Sequence, residues 1–502
     1  MKLSVLDLVV FFVITLGNVL FGASFYFRNK TSVQFTSGGG KIPAWVVGMS
    51  IFATFVSSIS FLALPGKAYI SNWNALVFSF AIPIASILAV KFFVPLYRSL
   101  NSISAYNYLE IRFGQWARIY ASICYMLTQL MRTGAILLLL ALPLNLLFGW
   151  NIKTIIIVTG IAVTVYSMLG GIQAVIWTDA IQAIILIVGA IVCAGILTFS
   201  MPEGPAQIFE IASANDKFSL GSFGASLSES TFWVVLIYSL FINLQNFGID
   251  QNFVQRYMTT SSLKKAKSST LFGALLYLPV SLLFFYIGTA LYAYYTAQPH
   301  LLPADIASQG DKVFPFFILN GLPKGITGLL IAAIFAAGMS TVSTSINSTA
   351  TIVLTDYYKR YFNKNATGKS EMKVLYLSSM IFGTLGVIIS LALVGVESVL
   401  DAWWSLASIF SGGMLGLFLL AFLSKKVRNI DAVIGVIVGV LVIMWMSLTP
   451  LYFTEGNLLA FKSPFHTNLT IVIGTLVIFL VGFVSMKLFF RKTEKKINIK
   501  SL

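Results

Sequence analysis

The chain has 502 residues, 58% of them hydrophobic and only 10% charged, with a mean hydropathy of +0.88. Soluble domains carry about 25% charged residues, so a soluble globular protein is excluded and an all-α polytopic membrane protein is expected. A net charge of +16 would suggest nucleic acid in a soluble chain, but here the basic residues cluster on alternate connections between apolar stretches, so no nucleic-acid partner is expected.

Crossing the hydrocarbon core takes about 20 apolar residues in a helix. Such stretches fall at 5–27, 44–69, 74–97, 119–148, 153–174, 176–201, 229–249, 268–297, 313–355, 373–395, 398–423, 431–450 and 466–490, thirteen predicted spans. The first carries no small-residue cleavage site and reads as a retained helix rather than a signal peptide. Between it and the second, Gly38-Gly39-Gly40 lacks the Walker spacing and reads as a flexible connection.

The second span is interrupted by Ala53-Thr54-Phe55-Val56-Ser57-Ser58-Ile59-Ser60 and ends at Pro65-Gly66. The seventh is interrupted by Asn243-Leu244-Gln245-Asn246-Phe247-Gly248, followed by Asp250-Gln251. These two lie five spans apart, an odd offset that makes them run in opposite directions. That is the pattern of two inverted five-helix repeats, each opening on a broken helix. The predicted organisation is an extra helix at 5–27, one repeat within 44–201, a second within 229–424, and two C-terminal helices within 431–490. The 313–355 stretch is too long for one span; a short external helix near 313–319 is expected, with Gly321-Leu322-Pro323 opening the span proper.

Arg28 and Lys30, Arg98 and Arg112, Arg256 and Lys264, Lys359 and Arg360, Lys425 and Lys426, and Arg491 and Lys492 occupy alternate connections. The others carry Glu203, Glu210, Asp216, Asp305, Asp311 and Glu455. The positive-inside rule puts the basic set in the cytoplasm, the N-terminus outside and the C-terminus inside. Lys67, Lys91 and Lys487, near span ends, are expected to snorkel. The pair Trp403-Trp404 is expected to serve interfacial packing.

Polar groups inside spans are the informative class. Ser340, Ser343, Thr344 and Asn347 share one helical face, flanked by Thr341, Ser345 and Ser348. Hydrocarbon offers such groups no partner, so the face must meet protein, water or a hard monovalent cation such as sodium. Asp179 and Arg132 also lie within spans. They either pair with each other or serve separate partners, a cation for Asp179 and an anionic substrate for Arg132. Asp250-Gln251 with Gln255-Arg256 reads equally as an inner-gate cluster or a solvated helix end. Cys124 and Cys193 lie within spans, only two His residues occur, and neither His-Glu-x-x-His nor Gly-x-Ser-x-Gly is present, so no enzyme is expected.

At Ser50-Ile-Phe-Ala53-Thr-Phe-Val56-Ser57-Ser58-Ile-Ser60, and again at Pro65-Gly66-Lys67-Ala68-Tyr69, the chain resembles the first core helix of the sodium/solute symporter family. Tyr108-Leu-Glu-Ile-Arg112-Phe-Gly114, Gly170-Gly171 through Trp177-Thr-Asp179, Asp250-Gln251 through Gln255-Arg256 and Ala332 through Ser340-Thr341 are similar to its later segments. The resemblance runs over residues 5–490 and is strongest to bacterial sodium/sialic acid symporters.

The resemblance implies a LeuT-like fold with alternating access, a monomer in the bacterial cytoplasmic membrane, and symport of an acidic sugar with sodium, two ions being expected. It implies a first sodium site at Ala53, Val56, Ala337, Ser340 and Thr341, and a second at Asp179, Ser340, Ser343 and Thr344. Arg132 would hold the substrate carboxylate, with Ser57, Ser58 and Ser60 lining the pocket. Two departures stand out: Ser79 replaces an expected Gln, and Ser60 stands where Thr is frequent. Ser79 would enlarge the pocket and admit bulkier sialic acids, with Asn243, Gln245 and Asn246 placed to supply replacement hydrogen bonds. Sodium symporters of neutral sugars, inositol, proline or another carboxylate are the alternatives within the family.

Overall fold

Where no water reaches the backbone, each peptide group must bond within its own segment, and the described parts of the predicted spans are accordingly mostly helical; residues 398–406 and 408 of the span predicted at 398–423 lie outside the described residues. A computed structural model describes residues 4–56, 58–395, 407, 409–424, 426–452 and 460–497, and no β-strand occurs among them. Ser57, Lys425, Glu455 and Trp403-Trp404 lie outside the described residues. In chain order the helices are α1 (Val5–Ser24), α2 (Ala44–Phe55), α3 (Ser58–Ile70), α4 (Trp73–Leu100, with a π-helical turn at Ala89–Phe93), α5 (Asn107–Phe113), α6 (Gln115–Phe148), α7 (Ile152–Phe199) and α8 (Phe232–Ile249). They continue with α9 (Gln251–Tyr257), α10 (Leu263–Ala297), α11 (Gly310–Asn320), α12 (Ile326–Ile352), α13 (Gly368–Ala392), α14 (Ile409–Leu423), α15 (Asn429–Tyr452) and α16 (Leu469–Ile497). Among the described residues, ten helices are long and apolar enough to cross a membrane, with α2 and α14 shorter apolar helices.

At about 1.5 Å per residue, the 48 residues of α7 are far too long for a single crossing. Gly171 divides it, at φ 55° and ψ −159°. A Cβ there would come within 2.9 Å of the Phe35 ring and carbonyl. The break therefore falls at the Gly170-Gly171 pair, a few residues before the boundary that hydropathy suggests. The Gly38–Gly40 connection also differs from expectation. All three glycines hold positive φ in one tight turn, Gly38 is buried, and Gln173 donates to its carbonyl at 3.1 Å, so the turn is pinned rather than flexible.

The interruption predicted within residues 53–60 is present, whereas the segment 243–248 stays helical and the chain breaks just after it, at Asp250, because the side-chain amides there bond or pack without disturbing the backbone ladder. Val56, at φ −89° and ψ 101°, ends α2. Asp250, at φ −73° and ψ 126°, separates α8 from α9. The carbonyls freed at the end of α8 are bonded by tyrosines, Tyr257 Oη to Phe247 at 2.6 Å and Tyr97 Oη to Gly248 at 2.7 Å. Aromatic rings join the two breaks: Phe55 lies 5.0 Å from Phe247, 5.1 Å from Phe253 and 5.6 Å from Tyr277, centroid to centroid.

The hydroxyl-bearing α12 is the central helix, with 89% of its most apolar window buried, against 22% for the peripheral α1. The Asp7 carboxylate fastens α1 to the start of α12, accepting from the amides of Gly325 at 2.7 Å and Gly328 at 2.9 Å. A negative group at a helix N-terminus complements the helix dipole there. As expected, a short helix, α11, precedes α12; its Gly310 packs directly against Gly66 of α3. At the same end of α3, Lys217 Nζ donates to Tyr69 O at 2.7 Å and Ser71 O at 3.0 Å, and burial lowers its pKa. Beyond the far end of α12 an ionic knot closes the bundle. Arg118 bridges Glu110 at 2.7 Å and Asp356 at 2.6 Å, and Arg360 also pairs with Glu110.

Gly171→Ala should destabilise the protein by at least about 1–3 kcal/mol, because the side chain meets both an unfavourable dihedral and the Phe35 backbone. Thermal unfolding in detergent checks this, with Gly195→Ala, where a Cβ meets nothing within 4 Å, as the control expected to unfold no earlier than the parent chain.

Candidate ion and substrate site

The polar residues of α12 form two stripes, offset by one residue and each following i, i+4, i+7 spacing. Ser340, Thr344 and Asn347 face one set of partners: Ser340 Oγ donates to the Asp179 carboxylate, Thr344 Oγ1 accepts from Arg256 Nη2 at 3.0 Å, and Asn347 Oδ1 accepts from Gln255 Nε2 at 2.9 Å. Thr341, Ser345 and Ser348 form the second stripe. Ser345 Oγ donates to Gln129 Oε1 at 2.7 Å and Ser348 Oγ accepts from Tyr125 Oη at 2.8 Å, both partners on α6. All of these α12 side chains are buried, as the sequence requires.

Asp179 on α7 has no exposure and pairs with Arg256 at 2.8 Å, not with Arg132. Its Oδ2 also accepts from Ser50 Oγ at 2.6 Å, while Arg256 Nε donates to the same hydroxyl at 2.8 Å and Nη1 to Asn252 O at 2.7 Å. The charge pattern placed Arg256 on a cytoplasmic connection, but it is wholly buried, since α9 turns back into the bundle after the break at Asp250. Gln251, Asn252 and Gln255 are buried with it. Gln251 bonds Ile103 O and the Ala105 amide, each at 2.8 Å, and Gln255 reaches Thr36 O at 2.7 Å. Of the two readings of this segment, the solvated helix end is thereby removed.

Beside Asp179 lies a cavity of about 10 Å³, lined by Phe52, Ala53, Val56, Gln182, Ala337 and Ser340 among others. That is about the room one water or small ion needs. The Val56 amide makes the last helical bond described in α2, to Phe52 O at 3.1 Å, so the Ala53 carbonyl is the first beyond it at the helix end. Ser340 donates its proton to Asp179, which leaves its oxygen lone pairs available to a cation. Thr341 Oγ1 donates to Ala337 O at 3.2 Å, beside the cavity rather than on its wall. Four of the five residues predicted for the first cation site thus line one small cavity, and the fifth bonds to one of them.

The residues predicted for a second cation, Asp179, Ser340, Ser343 and Thr344, also lie together. Arg256 already holds Asp179 Oδ2 and Thr344, and Ser343 Oγ donates to Ser340 O at 3.0 Å. Gln182 is a residue the sequence reading did not single out. It lies three residues after Asp179 on α7, and neither of its buried amide atoms has a partner among the described residues. Its spacing from Asp179 was the available signal.

On α6, Arg132 is half-buried and makes no ion pair or hydrogen bond among the described residues. Ser58 opens α3, and Ser60 Oγ reaches Phe55 O at 3.5 Å. Ser79 is buried and donates to Ser281 Oγ at 2.8 Å. Asn243 Nδ2 donates to Ser239 O at 2.8 Å, leaving its buried Oδ1 without a partner, as is Gln245 Oε1. Asn246 is half-buried.

Residues 35–439 match the family described as Sodium:solute symporter family. The chain is 34% identical to the sodium/sialic acid symporter NanT of Aliivibrio fischeri over 93% of its own length and 90% of that protein. It is 36% identical to the sodium/sialic acid symporter SiaT of Proteus mirabilis over 85% and 86% of the two chains. A solved structure of a sodium-coupled sialic acid symporter, substrate-bound and outward-open, superposes with a TM-score of 0.89 at 34% identity, covering 97% of this chain and 98% of that one.

Removing one member of the buried pair strands the other charge, so Asp179→Asn should cost roughly 3–5 kcal/mol of stability. The double variant Asp179→Asn/Arg256→Gln should recover most of that loss. Thermal unfolding of both proteins decides the matter: a single variant as stable as the parent means the pair does not brace the bundle.

Proposed function

The chain belongs to the sodium:solute symporter family, and we propose that it carries sialic acid, N-acetylneuraminate and related acids, into the cell together with sodium. It is a transporter and not an enzyme. One observation favours an acidic substrate over the neutral sugars, inositol or proline: Arg132 places a guanidinium within a membrane span with no ion pair or hydrogen bond on it among the described residues. An unpaired charge at that depth costs roughly 2.5–3.5 kcal/mol, a cost that a substrate carboxylate offsets through two parallel hydrogen bonds. Another carboxylate would use the same guanidinium, and the 34–36% identity to sialic acid symporters, against 28% to sodium-coupled monocarboxylate transporters, is what favours the sugar acid.

In this reading Ser57, Ser58 and Ser60 line the sugar pocket at the broken α2–α3 junction. The orphan acceptors Asn243 Oδ1 and Gln245 Oε1 take up hydroxyl donors of the substrate. The first sodium sits among the carbonyls of Ala53, Val56 and Ala337 and the hydroxyls of Ser340 and Thr341, with the Gln182 amide oxygen at hand. Binding there ties the break after α2 to the central α12 and so fixes the pocket's edge. Ion and solute therefore raise each other's affinity by the same factor. A second sodium uses Asp179, Ser340, Ser343 and Thr344, and it takes Asp179 Oδ2 only as Arg256 yields it. Two sodium ions with one anion move net positive charge inward, and the membrane potential contributes about 2.3 kcal/mol per charge per 100 mV. Opening toward the cytoplasm then requires the Arg118–Glu110–Asp356 knot to part.

We further read the topology as thirteen spans: the ten long helices with α7 counted twice across Gly171, the broken α2–α3, and α14. Alternate basic connections support an external N-terminus and a cytoplasmic C-terminus in a bacterial cytoplasmic membrane, with the lipid bilayer around a monomer. The breaks at Val56 and Asp250 support inverted repeats at 44–201 and 229–424.

Uptake of labelled N-acetylneuraminate into proteoliposomes should require sodium and vanish when choline replaces it; undiminished transport in choline refutes the coupling. Arg132→Ala should weaken sialic acid binding by about 2–5 kcal/mol, thirtyfold or more, with sodium-induced stabilisation retained. Calorimetry at near-parent affinity would refute the carboxylate clamp. In the same assay, a neutral hexose and proline should give no heat.

A further inference from the structure

Away from the ion and substrate site, the ends of α1 and α13 enclose a groove of about 670 Å³, within the size range of small-molecule sites. Its base is apolar, formed by Met168, Met372 and Tyr376, and Leu377 and Met380 carry that surface along α13. Both helices are peripheral: only 22% and 33% of their apolar windows are buried. Three exposed lysines stand at the groove, Lys30 after α1 and Lys369 and Lys373 on the first turns of α13. None of the three makes an ion pair among the described residues; the neighbouring carboxylate, Glu371, is bound to Lys359 and Ser32 instead. No acidic residue lines the groove. Asn29 also lines it, 2% exposed, with its amide nitrogen on Gly170 O and its Oδ1 without a partner.

An unneutralised cationic rim, an apolar base opening toward lipid and one buried acceptor describe an amphiphile rather than a soluble anion. We propose that this groove binds an anionic phospholipid of the surrounding bilayer, with its phosphate among Lys30, Lys369 and Lys373, a headgroup hydroxyl donating to Asn29 Oδ1, and an acyl chain along Met372, Tyr376 and Met380. A glycerol headgroup has both the charge and the donor. Each lysine near a lipid phosphate contributes about 1 kcal/mol, roughly fivefold in affinity. The proposal is independent of what the protein transports.

Native mass spectrometry of the full chain in detergent tests it, titrating phosphatidylglycerol, phosphatidylcholine of the same chains, and soluble glycerol phosphate. Phosphatidylglycerol should bind at least tenfold more tightly than either of the others. The variant Lys30→Gln/Lys369→Gln/Lys373→Gln should lose about a hundredfold in that affinity, while Lys264→Gln/Lys265→Gln/Lys267→Gln keeps it. Met380→Asp, which leaves the lysines intact, should also weaken the lipid by placing a charge in the acyl path. Equal binding of phosphatidylcholine or glycerol phosphate, an unchanged triple variant, or equal losses in the two triple variants would each overturn the assignment.

Discussion

Asp179 and Arg256 meet at 2.8 Å with no solvent on either, and the core of the bundle is arranged around keeping that contact complete. A buried ion pair compensates its desolvation only when the remaining donors and acceptors are also bonded. Here they are, by Ser50, Ser340, Thr344 and the Asn252 carbonyl. Those residues belong to α2, α12 and α9, while Asp179 belongs to α7. One charge pair therefore sets the spacing of four helices, and the small cavity between α2, α7 and α12 inherits its walls from that spacing.

Against this background, the polar atoms left over are more telling than those that are paired. Most hydroxyls of α12 are spent on Asp179, Arg256, Gln129, Tyr125 and neighbouring carbonyls, so their density serves helix packing. Among the described residues, the groups without protein partners that the proposed ion and solute sites draw on are Arg132, Gln182, Asn243 Oδ1 and Gln245 Oε1; others, such as Asn18 and Ser379, lie elsewhere in the bundle. Inside a membrane such orphans are costly. Gln182 lines the cavity, Asn243 and Gln245 lie on α8, which ends at the break at Asp250, and Arg132 lies on α6.

Hydropathy and helical spacing made much of this legible. The long apolar helices, the break within residues 53–60, the short helix before α12 and the buried face from Ser340 to Asn347 all follow from patterns that the bilayer enforces. What escaped has a common cause: short-range sequence cannot say which way a chain turns after a break. Arg256 follows Asp250 as a basic flank would follow any span, yet α9 folds inward. The boundary within α7 is set by a dihedral only glycine tolerates, and hydropathy is blind to it. Gly38–Gly40 looked loose because glycine permits many conformations, whereas Gln173 and Ile42 select one. Asp179's true partner, rather than Arg132, lies 77 residues away and could not be chosen from spacing.

The rings of Phe55, Phe247, Phe253 and Tyr277 give the two interrupted helices a contact without directional bonds. These rings meet at tilted angles, each pair worth about 0.5–1.5 kcal/mol beyond its burial, so the contact is held by several modest apolar terms, unlike the ionic knot at the end of α12, which is held by charge. The join at the two breaks is therefore indifferent to salt, whereas the partly exposed Arg360 bridge of the knot weakens as salt rises.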